Sequence, residues 1–298
     1  GAFAADALYY LFDNMGLDVD VAIMNGGGVR NKALTGDFSY KTAKEIHTFG
    51  NVACLQTITG QQLLDALEWG ARNAGSSENG GFLHVSGITY EIDLSVESTV
   101  QMDDKGVWSG APTGAYRVKN VKINQDGQWV DLDLAASYNL AGYNYTLRDL
   151  GDGFAMFGGA VNVLDYVMED YMVLANYIKS FPVDETTGLP TVTAENSPYG
   201  SVYGEGRIAQ FAEAPVEVIA TGWSGYTTWT LTSDGTLTFT SSGEKLENGE
   251  SNLKNYWKVN GELTLPWGEY AELITKVVIN DGIHDIGQMA FYELPNLT

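Results

Sequence analysis

The 298-residue chain has one cysteine, seven prolines and three histidines, and its 16 Lys and Arg are outnumbered by 38 Asp and Glu. Each shortage excludes something. A single Cys54 forbids an intrachain disulfide, and inside the apolar run NVACLQTIT it reads as a buried structural thiol. Cysteine poverty fits the cytoplasm and equally the surface of bacteria that do not rely on disulfides, so this count leaves the compartment open. The net charge of −22 repels polyanions, which removes nucleic-acid strands and anionic membranes as partners. A small anion stays admissible at a local basic pocket, because salt screens the long-range field beyond about 8–10 Å. No apolar run reaches the length of a membrane span, and no basic-then-apolar leader opens the sequence, so membrane insertion is not expected. The first residues already look helical (AADALYYLFDNMG), and the expectation is that a leader or a whole domain has been cut away. With 44% hydrophobic and 12% aromatic residues the chain can build a core, in one large domain or two ordinary ones.

Apolar spacing predicts a helix over 4–15 with a stop at Gly16, then a buried strand over VDVAIMN, 19–25. YKTAKEIHTFG reads as a short helix or turn, and NVACLQTIT as a strand. TGQQLLDALEWGARNAG predicts a helix capped by Thr59, with Leu63, Leu64, Leu67 and Ala71 on one face and Gly75 past its end. FLHVSGITYEIDL, YRVKNVKIN and YNLAGYNY carry the β-branched and aromatic texture of strands. Residues 163–181 read as a long helix or a helix pair, and 182–206 as a Pro/Thr/Gly-rich loop. Past Ala214 helix signal vanishes in favour of short strands with Asp-Gly turns. The domains are therefore expected at 1–212 and 213–298, the first of α/β class, the second a small β-rich appendage.

Chemistry concentrates where glycine does. IMNGGGVRN runs an apolar strand into three glycines, each costly to order. Such a loop lets a ligand touch main-chain N–H groups, with Asn25 and Gly27 among its contacts and Arg30 offering a fork for oxygen pairs. A tight strand exit with a surface arginine explains it equally well. It is neither a Walker loop nor a dinucleotide fingerprint. ENGGFLHVSG places Phe82 at a strand start, and AGYNYTLRDLGDGFAMF puts Tyr143 and Tyr145 before a loop holding Asp152 between two glycines. Each alone is the ordinary picture of a turn beside a core aromatic.

In this order, NGGGVR, GDFSYKTAKEIHTFGN, TGQQLLDALEWGAR, GGFLHVSGITYEID and YNYTLRDLGDGFAMF resemble the C-terminal domain of the 5′-nucleotidase family, over roughly residues 1–211. The resemblance implies that this first domain is layered, with mixed sheets and flanking helices. It also implies that the domain recognises the nucleoside part of a nucleotide, while a preceding domain carries a pair of divalent metal ions. It implies two aromatic side chains around the base: Phe82 as the first, and Tyr145 as the second with Tyr143 as the alternative. Arg30 is then expected at ribose or phosphate oxygens and Asp152 at sugar hydroxyls, though Leu150 stands where the family has a glycine. Arg72, at the end of the EWGAR helix, is a further polar contact or a surface arginine. Metal-assisted hydrolysis wants two ions about 3.5–4 Å apart held by Asp, His and Asn clusters. His47, His84 and His284 are scattered, so no metal and no catalytic residue is expected in this chain.

The C-terminal segment, from WTLTSDGTLTFTSSG to PWGEYAELITKVVINDGIHDIGQMAFYELPNLT, resembles the start of the leucine-rich repeats of bacterial surface proteins. Ile274, Val277, Ile279, Ile283, Ile286, Ala290, Phe291, Leu294 and Leu297 fit the inward positions. One repeat cannot bury its own face, so further repeats, a secreted or surface location, and surface or cell-wall partners are expected. A non-enzymatic adhesion module that keeps the nucleotidase fold as a relic is the competing expectation.

Overall fold

The computed structural model describes residues 1–30, 36–199, 206–212, 216–242 and 253–297. The chain forms two compact units, residues 1–213 and 214–298. In chain order, unit 1 carries α1 (Ala2–Asn14), β1 (Val21–Asn25), α2 (Tyr40–Ile46), β2 (Ala53–Thr59), α3 (Gly60–Ala71), β3 (Leu83–Ser86) and β4 (Ile88–Asp93). A short ribbon, β5 (Gln101–Met102) and β6 (Trp108–Gly110), precedes β7 (Val118–Gln125), β8 (Gln128–Asp131) and β9 (Ser137–Tyr143). Then come α4 (Asn144–Leu147), β10 (Val161–Leu164), α5 (Asp170–Lys179) and β11 (Ile208–Phe211).

The fold is α/β with mixed sheets. The central sheet has the order β10-β2-β9-β1-β3, with β1 and β9 parallel and its other neighbours antiparallel. It is buried on both faces, which is why β1 reads as a continuous apolar run rather than an alternation. Ala22, Met24, Leu55 and Ala141 face a layer in which Leu8 and Phe12 of α1, Ala43 of α2 and Val173 of α5 are buried. Val21, Ile23, Cys54 and Leu140 face a second core shared with α3 and with a sheet of order β11-β4-β7-β8. The main sheet thus holds the end of β1 fixed from both sides.

Local signals set most boundaries. Gly16, at φ +73°, donates to the Asp13 carbonyl and Leu17 to that of Phe12, closing α1. Thr59 and Gln62 form a reciprocal capping box at the start of α3. Two expectations fail. The predicted helix over 163–181 starts only at Asp170, because Val161–Leu164 pairs antiparallel with β2 as an edge strand. Tyr166, at φ +54°, separates the two. The helix after Thr59 ends at Ala71 instead of running on toward Gly75: Arg117, buried, donates to the carbonyls of Ala71, Arg72 and Ala74 and so satisfies the end early.

Unit 2 is one mixed sheet of order β12 (Val218–Ser224), β13 (Thr227–Thr232), β14 (Thr236–Ser241) and β15 (Lys276–Ile279), the last pair parallel. Asp234-Gly235 makes the β13–β14 turn, and Trp229, Leu231, Leu237, Phe239 and Trp267 form its core. Of the expected inward positions, Ile274 and Ala290 are buried, whereas Ile279, at the end of the edge strand, and Ile286, 55% exposed, face outward. Among the described residues no helix is long and apolar enough to cross a membrane.

Candidate functional site

The glycine loop begins where β1 ends. Gly26 and Gly27 donate to the carbonyls of Phe82 (2.7 Å) and Gly80 (2.8 Å), so two of the N–H groups expected to meet a ligand instead tie this loop to the loop before β3. A Cβ on Gly27 would come within 3.2 Å of the Gly80 carbonyl oxygen, and one on Gly28 would overlap Met24. The Gly27 backbone thus packs tightly on that of Gly80, and Gly28 packs on the Met24 and Asn25 side chains. What the turn delivers outward is Arg30: exposed, its amide bonded to the Ile46 carbonyl, its guanidinium 5.0 Å from the centroid of the Phe49 ring.

The Asp152 loop is built against the same strand end. Leu150 and Asp152 both hold positive φ, 56° and 53°, a strained geometry that the surroundings must enforce. Trp69, fully buried on α3, donates its Nε1–H to the Asp152 carbonyl at 2.9 Å. Asn25 Nδ2 donates to Asp152 Oδ2 and the Tyr145 hydroxyl to Oδ1, both at 2.9 Å, while the Asp152 amide donates back to the Tyr145 oxygen. A side chain at Gly151 would overlap the Tyr145 ring, and a Cβ on Gly81 would lie 3.3 Å from that of Asp152. Burial, and then the hydrogen bond to Asp152, raise the Tyr145 phenol above its ordinary range. Arg72 lies over the Trp69 ring, 3.8 Å from its centroid, and donates to the Trp69 carbonyl. Burial pulls its pKa down, and the nearby Asp152 charge opposes this.

Asn25, Gly27, Tyr145, Asp152 and Arg72 thus share one neighbourhood. Two aromatic assignments look different in three dimensions. Tyr143, the alternative second ring, is buried in the α1 layer with its ring edge toward His47 and its hydroxyl donating to the Asp170 carbonyl. It is a core residue at the last position of β9, and no face of it is free to stack. Phe82 is half-buried, packed on the core and edge-on to His84. An exposed ring that the sequence reading did not single out is Phe49, 56% exposed. It lies in HTFGN just before Gly50, whose φ is +66°, and an aromatic beside a turn glycine was the available signal. Three residues on, Val52 exchanges bonds with Asn144: its amide donates to Asn144 Oδ1 (2.7 Å) and its carbonyl accepts from the Asn144 amide (2.9 Å). Asn144 directly precedes Tyr145, 38% exposed. The loops of the two exposed rings are therefore fastened together.

Among the described residues no group of three or more His, Cys, Asp or Glu could hold an ion. His47 is buried, with Nδ1 3.1 Å from the Gly28 carbonyl oxygen, and burial lowers its pKa, as it does that of His84. His284 is exposed in unit 2.

Comparison with known proteins gives these loops a context. Residues 1–159 match the family model described as 5′-nucleotidase, C-terminal domain. The trifunctional nucleotide phosphoesterase protein YfkN of Bacillus subtilis is 30% identical over 162 residues, covering 53% of this chain and 10% of the relative. The cell wall protein Lmo0130 of Listeria monocytogenes is 27% identical over 205 residues, covering 65% and 22%. The crystal structure of a 5′-nucleotidase precursor from Thermus thermophilus superposes with a TM-score of 0.52 at 25% identity, over 72% of this chain and 35% of that one. The chain therefore spans a minor part of each of these proteins.

Proposed function

The chain belongs to the family of 5′-nucleotidase C-terminal domains, and from that premise we propose that unit 1 is the nucleoside-recognition part of a phosphoesterase that hydrolyses nucleotides to nucleosides and phosphate. Phe49 and Tyr145 supply the two faces that hold the base. Stacking tolerates different bases, because every base has a π face, and is worth about 1–3 kcal/mol per base. Asp152 takes the sugar: each of its oxygens accepts one protein bond and keeps a lone pair for a ribose hydroxyl. Arg30 reaches the ribose or phosphate oxygens, and Arg72 adds positive charge behind Asp152. Phe82 braces the glycine loop through its backbone. The single observation that carries this reading is the Arg30 guanidinium resting on an exposed Phe49 ring, on a loop fastened to that of Tyr145 and Asp152.

The divalent metal pair that such hydrolysis uses is assigned to a separate catalytic domain. The role of this chain is to bind and orient, which matters more than tightness for delivery to a distant centre. We read unit 2 as the lead-in and first unit of a leucine-rich-repeat region of a secreted, surface- or wall-associated protein. The parallel β14–β15 pair and the buried Ile274 and Ala290 support the repeat, and the likeness to a Listeria cell wall protein supports the location.

Adenosine and AMP are expected to protect the chain against thermal unfolding. Phe49→Ala should weaken binding about 5- to 150-fold, as the loss of one stacked face requires. Phe82→Ala should instead lower stability and spare affinity. The absence of both calorimetric heat and protection at millimolar nucleoside would sink the proposal and leave the adhesion module as the better reading. Loss of affinity in Phe82→Ala alone would return the first ring to Phe82.

A further inference from the structure

A depression of about 640 Å³ lies away from the loops described above. That volume falls in the range of about 300–1,000 Å³ typical of ligand sites. Ser86 and Gly87 line it, and Ser86 is four residues along β3 from Phe82, roughly 13 Å at strand rise. The outer face of the β4–β7–β8 sheet forms one wall: Thr89 is beside Lys122 across β4–β7, and Asn124 is opposite Trp129 across β7–β8. Asp6 of α1 and Arg207 close the other side.

Its charges are already spent on one another. Arg207 grips both carboxylate oxygens of Asp6, at 2.6 and 2.7 Å, and Lys122 holds Asp131 at 2.5 Å. The uncommitted groups are neutral. Ser86 is 6% exposed, and among the described residues its hydroxyl has no partner, nor does that of Thr89. Asn124 accepts from the Gly127 amide through Oδ1, which leaves its amide donors for a ligand. Trp129, 49% exposed, presents its indole at the rim. The Ser86 hydroxyl, without a partner among the described residues, stays open to solvent, so it is free both to donate to and to accept from a ligand in the depression.

We propose that this depression binds a short neutral oligosaccharide. Pyranose rings offer what the lining lacks: hydroxyls that both donate to and accept from Ser86 and Thr89, an acceptor for Asn124, and an apolar C–H face for the Trp129 indole, whose body is apolar and tip polar. An ionic ligand finds no uncompensated charge here, and the acidic surface repels anions.

Titration calorimetry of the full chain with cellotetraose, maltotetraose and chitotetraose tests this. At least one should give a saturable heat, with Trp129→Ala weakening it about tenfold or more and Asn124→Ala severalfold, while Trp129→Ala leaves adenosine protection unchanged. Should Trp129→Ala fail to fold, Asn124→Ala and the indole N–H shift of Trp129 on titration carry the test. No heat from any of the three sugars at millimolar concentration, or wild-type affinity in both variants, overturns the proposal. Self-association lost in Trp129→Ala without sugar binding would assign the face to a second copy and also overturn it. Adenosine binding is scored separately, so failure of one site does not count against the other.

Discussion

Asp152 is held by Asn25 and Trp69, 127 and 83 residues away, and by nearby Tyr145, and of these Trp69 alone escaped notice in the sequence. Tryptophan near the end of an amphipathic helix looks like core, and it is core; its indole N–H nevertheless fixes a strained loop. Phe49 was not singled out because its one local mark, a neighbouring turn glycine, is shared by many aromatics that carry no function. His84 makes a quantitative prediction at this scale. Burial pushes its pKa down to about 4 from the ordinary 6.5. As the pH falls below about 6.5 the unfolded chain takes up this proton first, so stability present above that pH is lost progressively until the folded form titrates near 4. Urea midpoints at pH 7 and pH 4.5 should therefore differ less in His84→Gln than in the wild type, the full effect being at most about 3 kcal/mol. Equal acid sensitivity in both would show that His84 carries no part of it.

At the scale of elements, boundaries set by nearby residues were legible and those set by distant partners were not. The Thr59–Gln62 box can be read from four letters, but α3 stops where Arg117, 46 residues further on, takes its carbonyls. Arg117→Met should cost about 1–3 kcal/mol, since the carbonyls of Ala71, Arg72 and Ala74 lose a buried donor. It should also weaken nucleoside binding by loosening Arg72 and Trp69. Urea denaturation and calorimetry check the two effects, and a variant of unchanged stability would refute the capping role. Residues 163–181 misled for a related reason: Val161 and Val163 are β-branched but exposed, and only pairing with β2 makes Val161–Leu164 a strand.

At the scale of the molecule, unit 1 and unit 2 each enclose their own hydrophobic cores. Domains with separate cores unfold as separate cooperative units, so differential scanning calorimetry should resolve two transitions. Saturating adenosine should raise only the one belonging to unit 1, by about 2.7 kcal/mol at a hundredfold excess over Kd. One transition that moves as a whole would contradict this independence.

Composition and spacing by themselves determined the mix of helices and strands, the apolar strand that ends in glycine, the cap of α3, the Asp-Gly hairpin and the acidic surface, because each depends on neighbours within a few residues or on sums over the chain. Tertiary structure alone decided which aromatics are free to stack, that the glycine amides bind a neighbouring loop, where α3 ends and that Ser86 lines a polar depression. Those outcomes depend on groups tens of residues apart meeting at hydrogen-bond distance, and no local pattern encodes such a meeting.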